Sequence, residues 1–315
     1  MTKRKILLTC PPMLRAVKHF EARFAEEGLD VHCPNVVQIL SEPELKELLP
    51  QFEGWIIGDD PATRDVFEAG HRGNLKAAVK WGVGVDNVDF QAAKDLNIPI
   101  TNTPGMFGAE VADIAHAYLI GLARETYLID RHVRQGEWPK PTGISLKSKQ
   151  LGLIGFGDIG KNVAKRALAS DMDIIAYDPY FNPDPNLKVS EEVWPNRIEE
   201  CDFLVFTCAL TPKNQHMLNS EIFGRLKPGV RIVNVARGPL IDEAALIQNL
   251  ESGRVHSAAL DVMENEPLPA NSALRKFERC IFGSHNASNT IDAVVATSHK
   301  AIDHLVEFLK EETEQ

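Results

Sequence analysis

Arg237, Glu266 and His285 each follow an apolar run that reads as a strand, in the segments Asn234-Val235-Ala236-Arg237-Gly238, Asp261-Val262-Met263-Glu264-Asn265-Glu266-Pro267 and Ser284-His285-Asn286-Ala287. Open α/β sheets bind ligands at such carboxyl ends. Hydride transfer from a 2-hydroxy acid needs a base for the hydroxyl proton, a cation for the carboxylate and carbonyl oxygen, and an acid that holds and tunes the base. His285, Arg237 and Glu266 supply one of each. Taken singly, each has an ordinary structural explanation: a loop arginine is usually solvated, a glutamate before proline often caps a turn, and a histidine is often a packed polar residue.

A hydride also needs a carrier. Leu151-Gly152-Leu153-Ile154-Gly155-Phe156-Gly157-Asp158-Ile159-Gly160 places three glycines in the G-x-G-x-x-G pattern, after a strand and before a helix. Gly155 permits the tight turn, Gly157 lets backbone amides approach a pyrophosphate, and Gly160 lets the helix pack on the strand. The helix opening through Asp158 and Ile159 turns its positive end to the anion. A lone glycine pattern also fits an ordinary strand-to-helix turn. Here the next strand ends at Asp178, about 18 residues beyond Gly160, close to the ~20 at which an acid accepts ribose hydroxyls. Strand, glycines, helix, strand and acid together point to a dinucleotide. Asp178 would repel a 2′-phosphate, so NAD is expected rather than NADP. Tyr180 and Phe181 either flank the adenine or pack.

These residues must be positioned by a parallel sheet. Short apolar runs alternate with helical patterns from the start of the chain: Ile6–Thr9, Val31–Cys33, Trp55–Ile57, Ala77–Val79 and Ile98–Thr101 read as strands. Between them, Leu14, Val17, Phe20 and Phe24 recur at helical spacing, Ser41 and Glu44 form a capping box, and Phe90 to Leu96 is helical. Pro104-Gly105 breaks the pattern, so a boundary is expected near Thr103. One long helix is expected from Glu110 to His132. A second strand series follows at 151–154, 174–177, 203–206, 230–233 and 257–260, and the final helix spans Ile291 to Leu309. Two successive parallel sheets fit better than one barrel, because the series restarts with the phosphate-loop signal.

At 315 residues and 44% hydrophobic, the chain can build full cores without disulfide or metal staples. A net charge of −10 argues against nucleic acid and anionic membrane surfaces as partners. Five cysteines with no C-x-x-C pair suggest reduced thiols and a cytoplasmic protein, and no metal is expected. Ile6-Leu7-Leu8 is too short for a signal-peptide core, and no run approaches the ~18 apolar residues of a membrane helix.

The residues resemble the D-isomer-specific 2-hydroxyacid dehydrogenases over nearly the whole chain. The likeness is carried by Gly82-Val83-Gly84-Val85-Asp86-Asn87-Val88-Asp89, Asn102-Thr103-Pro104-Gly105, the glycine loop, Val235-Ala236-Arg237-Gly238, Ala259-Leu260-Asp261-Val262 with Glu266-Pro267, and His285. It implies an α/β fold of two doubly wound parallel-sheet domains. One is a flavodoxin-like substrate domain, 1–102 plus 286–315, and the other a Rossmann NAD-binding domain, 103–285, with the active site in the cleft between them. It implies that His285 is the acid/base, Glu266 its partner and Arg237 the substrate anchor, with Asp261 near the nicotinamide carboxamide and Ala236 among the cofactor contacts. The backbone of Val83 and Gly84 would bind the substrate carboxylate, and the helix around Glu110 to Arg124 would form a homodimer interface.

Within the family the likeness is strongest to the branch that oxidises D-3-phosphoglycerate to 3-phosphohydroxypyruvate in serine synthesis, in a short form ending at Gln315. Two departures bear on the substrate. Gly58-Asp59-Asp60-Pro61 stands where that branch often carries Arg-Ser, removing a phosphate ligand and adding negative charge, while Lys80, Arg64 and Arg134 offer cations nearby. Trp81 stands where a small residue is common and either narrows the pocket or packs. The alternatives are a reductase of glyoxylate, hydroxypyruvate or another 2-keto acid, and a non-catalytic NAD-sensing corepressor.

Overall fold

The computed structural model describes residues 3–311. Its first segment runs β1 (Arg4–Leu8), α1 (Pro11–Arg15), α2 (Glu21–Glu26), β2 (Leu29–His32), α3 (Glu42–Leu48), β3 (Gly54–Ile57), α4 (Arg64–Arg72), β4 (Ala77–Lys80), α5 (Phe90–Asp95) and β5 (Ile100–Asn102). The middle of the chain forms α6 (Gly108–Arg124), α7 (Thr126–Arg134), β6 (Gln150–Ile154), α8 (Asp158–Ala169), β7 (Asp173–Tyr177), β8 (Ser190–Glu191), β9 (Phe203–Phe206), α9 (Ser220–Arg225), β10 (Val230–Asn234), α10 (Glu243–Glu251), β11 (Val255–Leu260) and β12 (Ile281–Phe282). Helix α11 (Ile291–Glu311) ends the described chain.

Two compact units result, Met1–Met106 with Asn289–Gln315, and Phe107–Ser288. The first holds a parallel sheet in the order β2-β1-β3-β4-β5, the flavodoxin-like doubly wound arrangement. Its central strands β3 and β4 are buried on both faces and read as near-continuous apolar runs, as a helix-covered parallel sheet requires. Trp55 and Phe67 meet edge to face in its core at 6.1 Å. Trp81 packs in this unit too: it is buried and donates from Nε1 to Ser298 Oγ of α11 at 3.1 Å. The second unit has the order β12-β11-β10-β9-β6-β7-β8, again all parallel. Counted from β6 this is the Rossmann order 3-2-1-4-5-6 with a seventh strand added. Among the described residues, no helix is long and apolar enough to cross a membrane.

Several local expectations differ from what forms. The helix expected from Glu110 to His132 is two helices, because Glu125 adopts a left-handed conformation (φ 54°) between α6 and α7. Its buried carboxylate pairs with His256 Nε2 and Arg279 Nε, each at 3.3 Å, which holds the break. The pattern from Leu14 to Phe24 is likewise split into α1, a 3₁₀ turn at Val17–His19 and α2, and Phe20 turns inward against His299 of α11 at 5.4 Å. The unit boundaries fall after Met106 and Ser288. Thr103 stays with the first unit because its buried Oγ1 accepts from Gly82 N, and Asn286 and Ala287 stay with the second because their amides bond Asp261.

Candidate active site

Strand register brings the polar segments of the second unit to one edge. Asn234 pairs with Leu260 and Leu260 with Phe282, so the loops carrying Arg237, Glu266 and His285 leave the sheet side by side at its carboxyl end. Each loop is then fastened from within. His285 Nδ1 lies 2.8 Å from Glu266 Oε2, and Glu266 Oε1 accepts from Met263 N at 3.0 Å, which orients both oxygens. His285 itself sits at φ 55°, a conformation a non-glycine residue holds only when its surroundings impose it. Asp261 imposes it: its carbonyl accepts from His285 N at 2.7 Å, and its carboxylate accepts from Asn286 N and Ala287 N at 3.2 and 2.9 Å. Burial pushes the Asp261 carboxyl up, against the downward pull of those two amides.

The Arg237 loop is shaped by a residue that sequence reasoning assigned no role. Asn234 is 1% exposed, accepts from Ala236 N at 3.0 Å and donates to Arg237 O at 2.8 Å, clamping the turn from both sides. Arg237 Nη1 donates to Ala236 O at 2.9 Å. Asn234 at the end of an apolar strand, three residues before an arginine, was the signal available.

Register also gathers the dinucleotide elements, since Ile154 pairs with both Tyr177 and Phe206. Gly155, Asp178 and Thr207 therefore emerge together at the point where the strand order reverses. Gly155 takes φ 99°, and a Cβ there would lie 2.7 Å from Cys208 N; a Cβ on Gly160 would lie 2.2 Å from Gly155 O. A Cβ on Gly157 would meet nothing within 4 Å, so backbone is open to approach at that point. The Asp158 carboxylate accepts from Asn162 Nδ2 at 3.2 Å on the same helix and lies against Gly108. Asp158 and Ile159 form the first turn of α8, the end at which a helix favours an anion. Asp178 accepts from Phe156 N at 2.7 Å and Tyr180 N at 2.8 Å, which ties its carboxylate to the glycine loop while a carboxylate's further lone pairs suit ribose hydroxyls. These residues fit a dinucleotide. Phe181 stacks on Phe156 at 4.9 Å, and Tyr180 is exposed.

In the first unit, Ile57 pairs with Lys80 and Lys80 with Asn102, so the loops at Gly58, Trp81 and Thr103 are neighbours. Gly82, at φ 119°, donates to Thr103 Oγ1 at 2.7 Å, and Asn102 Nδ2 donates to Val83 O at 3.2 Å. That fixes the turn carrying Val83 and Gly84. Lys80 is 2% exposed, and its ammonium donates to Gly58 O at 2.6 Å, Asp59 Oδ1 at 3.1 Å and Trp81 O at 3.1 Å. Its three N–H groups have three acceptors within the unit, so it does not reach out as the phosphate cation expected from the sequence. Arg64 pairs with Asp95 at 2.7 Å, and Arg134 with Asp130 at 2.9 Å on α7.

The description "D-isomer specific 2-hydroxyacid dehydrogenase, NAD binding domain" matches residues 116–287. The chain belongs to this family. A hydroxypyruvate reductase of Thermotoga maritima is 39% identical over 82% of this chain and 81% of its own length. A D-3-phosphoglycerate dehydrogenase of Methanocaldococcus jannaschii is 34% identical over 98% of this chain, which spans 58% of that relative. A solved Thermus thermophilus structure superposes with a TM-score of 0.87 at 29% identity, covering 98% of this chain and 97% of the other. As a D-2-hydroxyacid dehydrogenase, the chain is an NAD-dependent enzyme, and its second unit is the NAD-binding one.

Proposed function

We propose that the chain interconverts a D-2-hydroxy acid and its 2-keto acid through His285, Glu266 and Arg237. The observation that carries this reading is the 2.8 Å pairing of His285 with Glu266 beside the Arg237 loop. Bound NAD supplies the hydride acceptor for oxidation, and its reduced form the donor for reduction. With Nδ1 facing Glu266, the substrate hydroxyl proton is handled at His285 Nε2, and the carboxylate stabilises the imidazolium that forms. Arg237 pairs with the substrate carboxylate and polarises the carbonyl oxygen. Asp261 holds the His285 turn and, with Ala236, Asp158 and Ile159, belongs to the cofactor-facing set. The backbone of Val83 and Gly84 receives the carboxylate in the first unit.

Both substrate readings have support among the relatives. D-3-phosphoglycerate, the expectation from the sequence, is favoured by the Methanocaldococcus enzyme, which matches nearly the whole chain. Reduction of hydroxypyruvate is favoured by the more identical Thermotoga enzyme. We further infer a cytoplasmic homodimer, supported by five free cysteines and by exposed Ile120, Tyr127 and Val133 on α6 and α7.

Initial rates with NADH or NADPH against glyoxylate, hydroxypyruvate and 3-phosphohydroxypyruvate test the reading. Turnover with at least one 2-keto acid is expected, with NADH preferred because Asp178 faces a 2′-phosphate as a like charge. Asp178→Asn should shrink that preference. No oxidation of NADH by any of the acids overturns the enzymatic reading, and equal use of both cofactors removes Asp178 from ribose recognition.

A further inference from the structure

The carboxyl end of the first unit's sheet is where a doubly wound fold receives its ligand, and the strand order reverses there between β1 and β3. Thr9, Gly58 and Trp81 follow β1, β3 and β4 directly, and the groups around them form one closed network. Asp60 is fully buried and accepts from Thr9 Oγ1 at 2.5 Å, Leu40 N at 2.8 Å and Gly58 N at 3.1 Å. Asn87 Nδ2 donates to Gly58 O at 3.1 Å and Asp60 O at 2.7 Å. The 58–60 turn is therefore fastened to β1 and to the 87 loop and has little room to swing aside; a Cβ on Gly58 would already lie 3.0 Å from Cys10 Cα.

Lys80 is sealed beneath this turn. To reach a phosphate its ammonium would have to give up Gly58 O, Trp81 O or the Asp59 carboxylate, all held at 3.1 Å or less. Its Nζ would lie 3.8 Å from a Cβ on Gly82, so its charge sits under the Gly82–Gly84 turn, where it favours a substrate carboxylate. Asp59 is the partly exposed member of the group, with 35% of its side chain accessible. There the strand ends present a partly exposed carboxylate paired with the Lys80 ammonium. Two like charges set close together in a partly desolvated crevice repel more strongly than in water.

Resting on the reading that this chain reduces 2-keto acids, we propose that its substrate is unphosphorylated and that Asp59, locked against Lys80, is the residue that turns phosphorylated analogues away. The purified full chain is assayed with NADH against hydroxypyruvate and 3-phosphohydroxypyruvate, which differ only in the phosphate. The wild type should favour hydroxypyruvate in kcat/KM by at least about tenfold, a difference equivalent to one like-charge contact of ~1.4 kcal/mol. Asp59→Asn keeps an oxygen for Lys80 and removes the charge, and should reduce that ratio by about the same factor, mainly through the KM of the phosphorylated acid. A wild type that prefers 3-phosphohydroxypyruvate overturns the proposal while leaving hydride transfer intact. Turnover of neither acid, nor of glyoxylate, overturns the underlying reading instead. An unchanged ratio in a folded Asp59→Asn protein removes Asp59 as the discriminator. Should that variant not fold, competition in the wild type decides: glycerate should inhibit hydroxypyruvate reduction more strongly than 3-phosphoglycerate, and the reverse order overturns the proposal.

Discussion

His285 is held from three directions: Glu266 orients its ring, the Asp261 carbonyl takes its amide, and the Asp261 carboxylate binds the next two amides. An imidazole fixed this way has its orientation set before substrate arrives, which is where a general acid or base gains its efficiency. His285→Ala should lower kcat by about 10²- to 10⁴-fold. The binding of NADH, measured by fluorescence titration, should stay within about twofold, because the ring acts on the substrate hydroxyl. An unchanged kcat in a folded variant would take His285 out of the mechanism. At this scale the sequence was informative about residue type and uninformative about commitment. Lys80 was legible as a cation in the right stretch, but its donors are taken by the Asp59 carboxylate and by the carbonyls of Gly58 and Trp81, and backbone acceptors leave no trace in side-chain identity.

Elements were legible where one face is buried and ambiguous where the backbone alone decides. Most strands of both sheets announced themselves as apolar runs, whereas the short, exposed β8 did not, and the Ser41/Glu44 capping box forms as its spacing predicts. The break at Glu125 was not legible, because the apolar pattern runs on through it and the cause is a distant histidine and arginine. Asn234 was hidden in the same way, since its clamp is made with backbone atoms of Ala236 and Arg237. Asn234→Ala leaves the Ala236 amide without that acceptor and the Arg237 carbonyl with only the Leu240 amide, and should lower unfolding stability by about 1–3 kcal/mol in urea denaturation. It should also reduce kcat/KM for the keto acid through a raised KM, as Arg237 loses its fixed position. A stability loss with unchanged KM would show that Asn234 only supports the strand end.

As a whole, the molecule is two separately cored units, and their doubly wound character was readable from one restart of the strand pattern at the glycine loop. One part of the pH response of the second unit comes from two histidines that burial pushes below their ordinary value of 6.5. His116 is disfavoured as a cation next by Arg166, with Asp113 opposing, and its buried Nδ1 has no partner to accept a proton's hydrogen bond. His256 is disfavoured next by Arg231, with Glu125 opposing and Arg279 adding to the shift. With the folded value below the unfolded one, the unfolded chain binds more protons in the window between them. Stability therefore rises with pH through that window and is lost as pH falls below about 6.5. Both side chains are partly exposed, so the effect is screened and modest. The thermal midpoint of the second unit should be lower at pH 5.5 than at pH 7.5, and replacing both histidines with glutamine should shrink the difference. A midpoint that is the same at both pH values, or a difference undiminished in the double variant, would mean that these two rings do not set the acid limit.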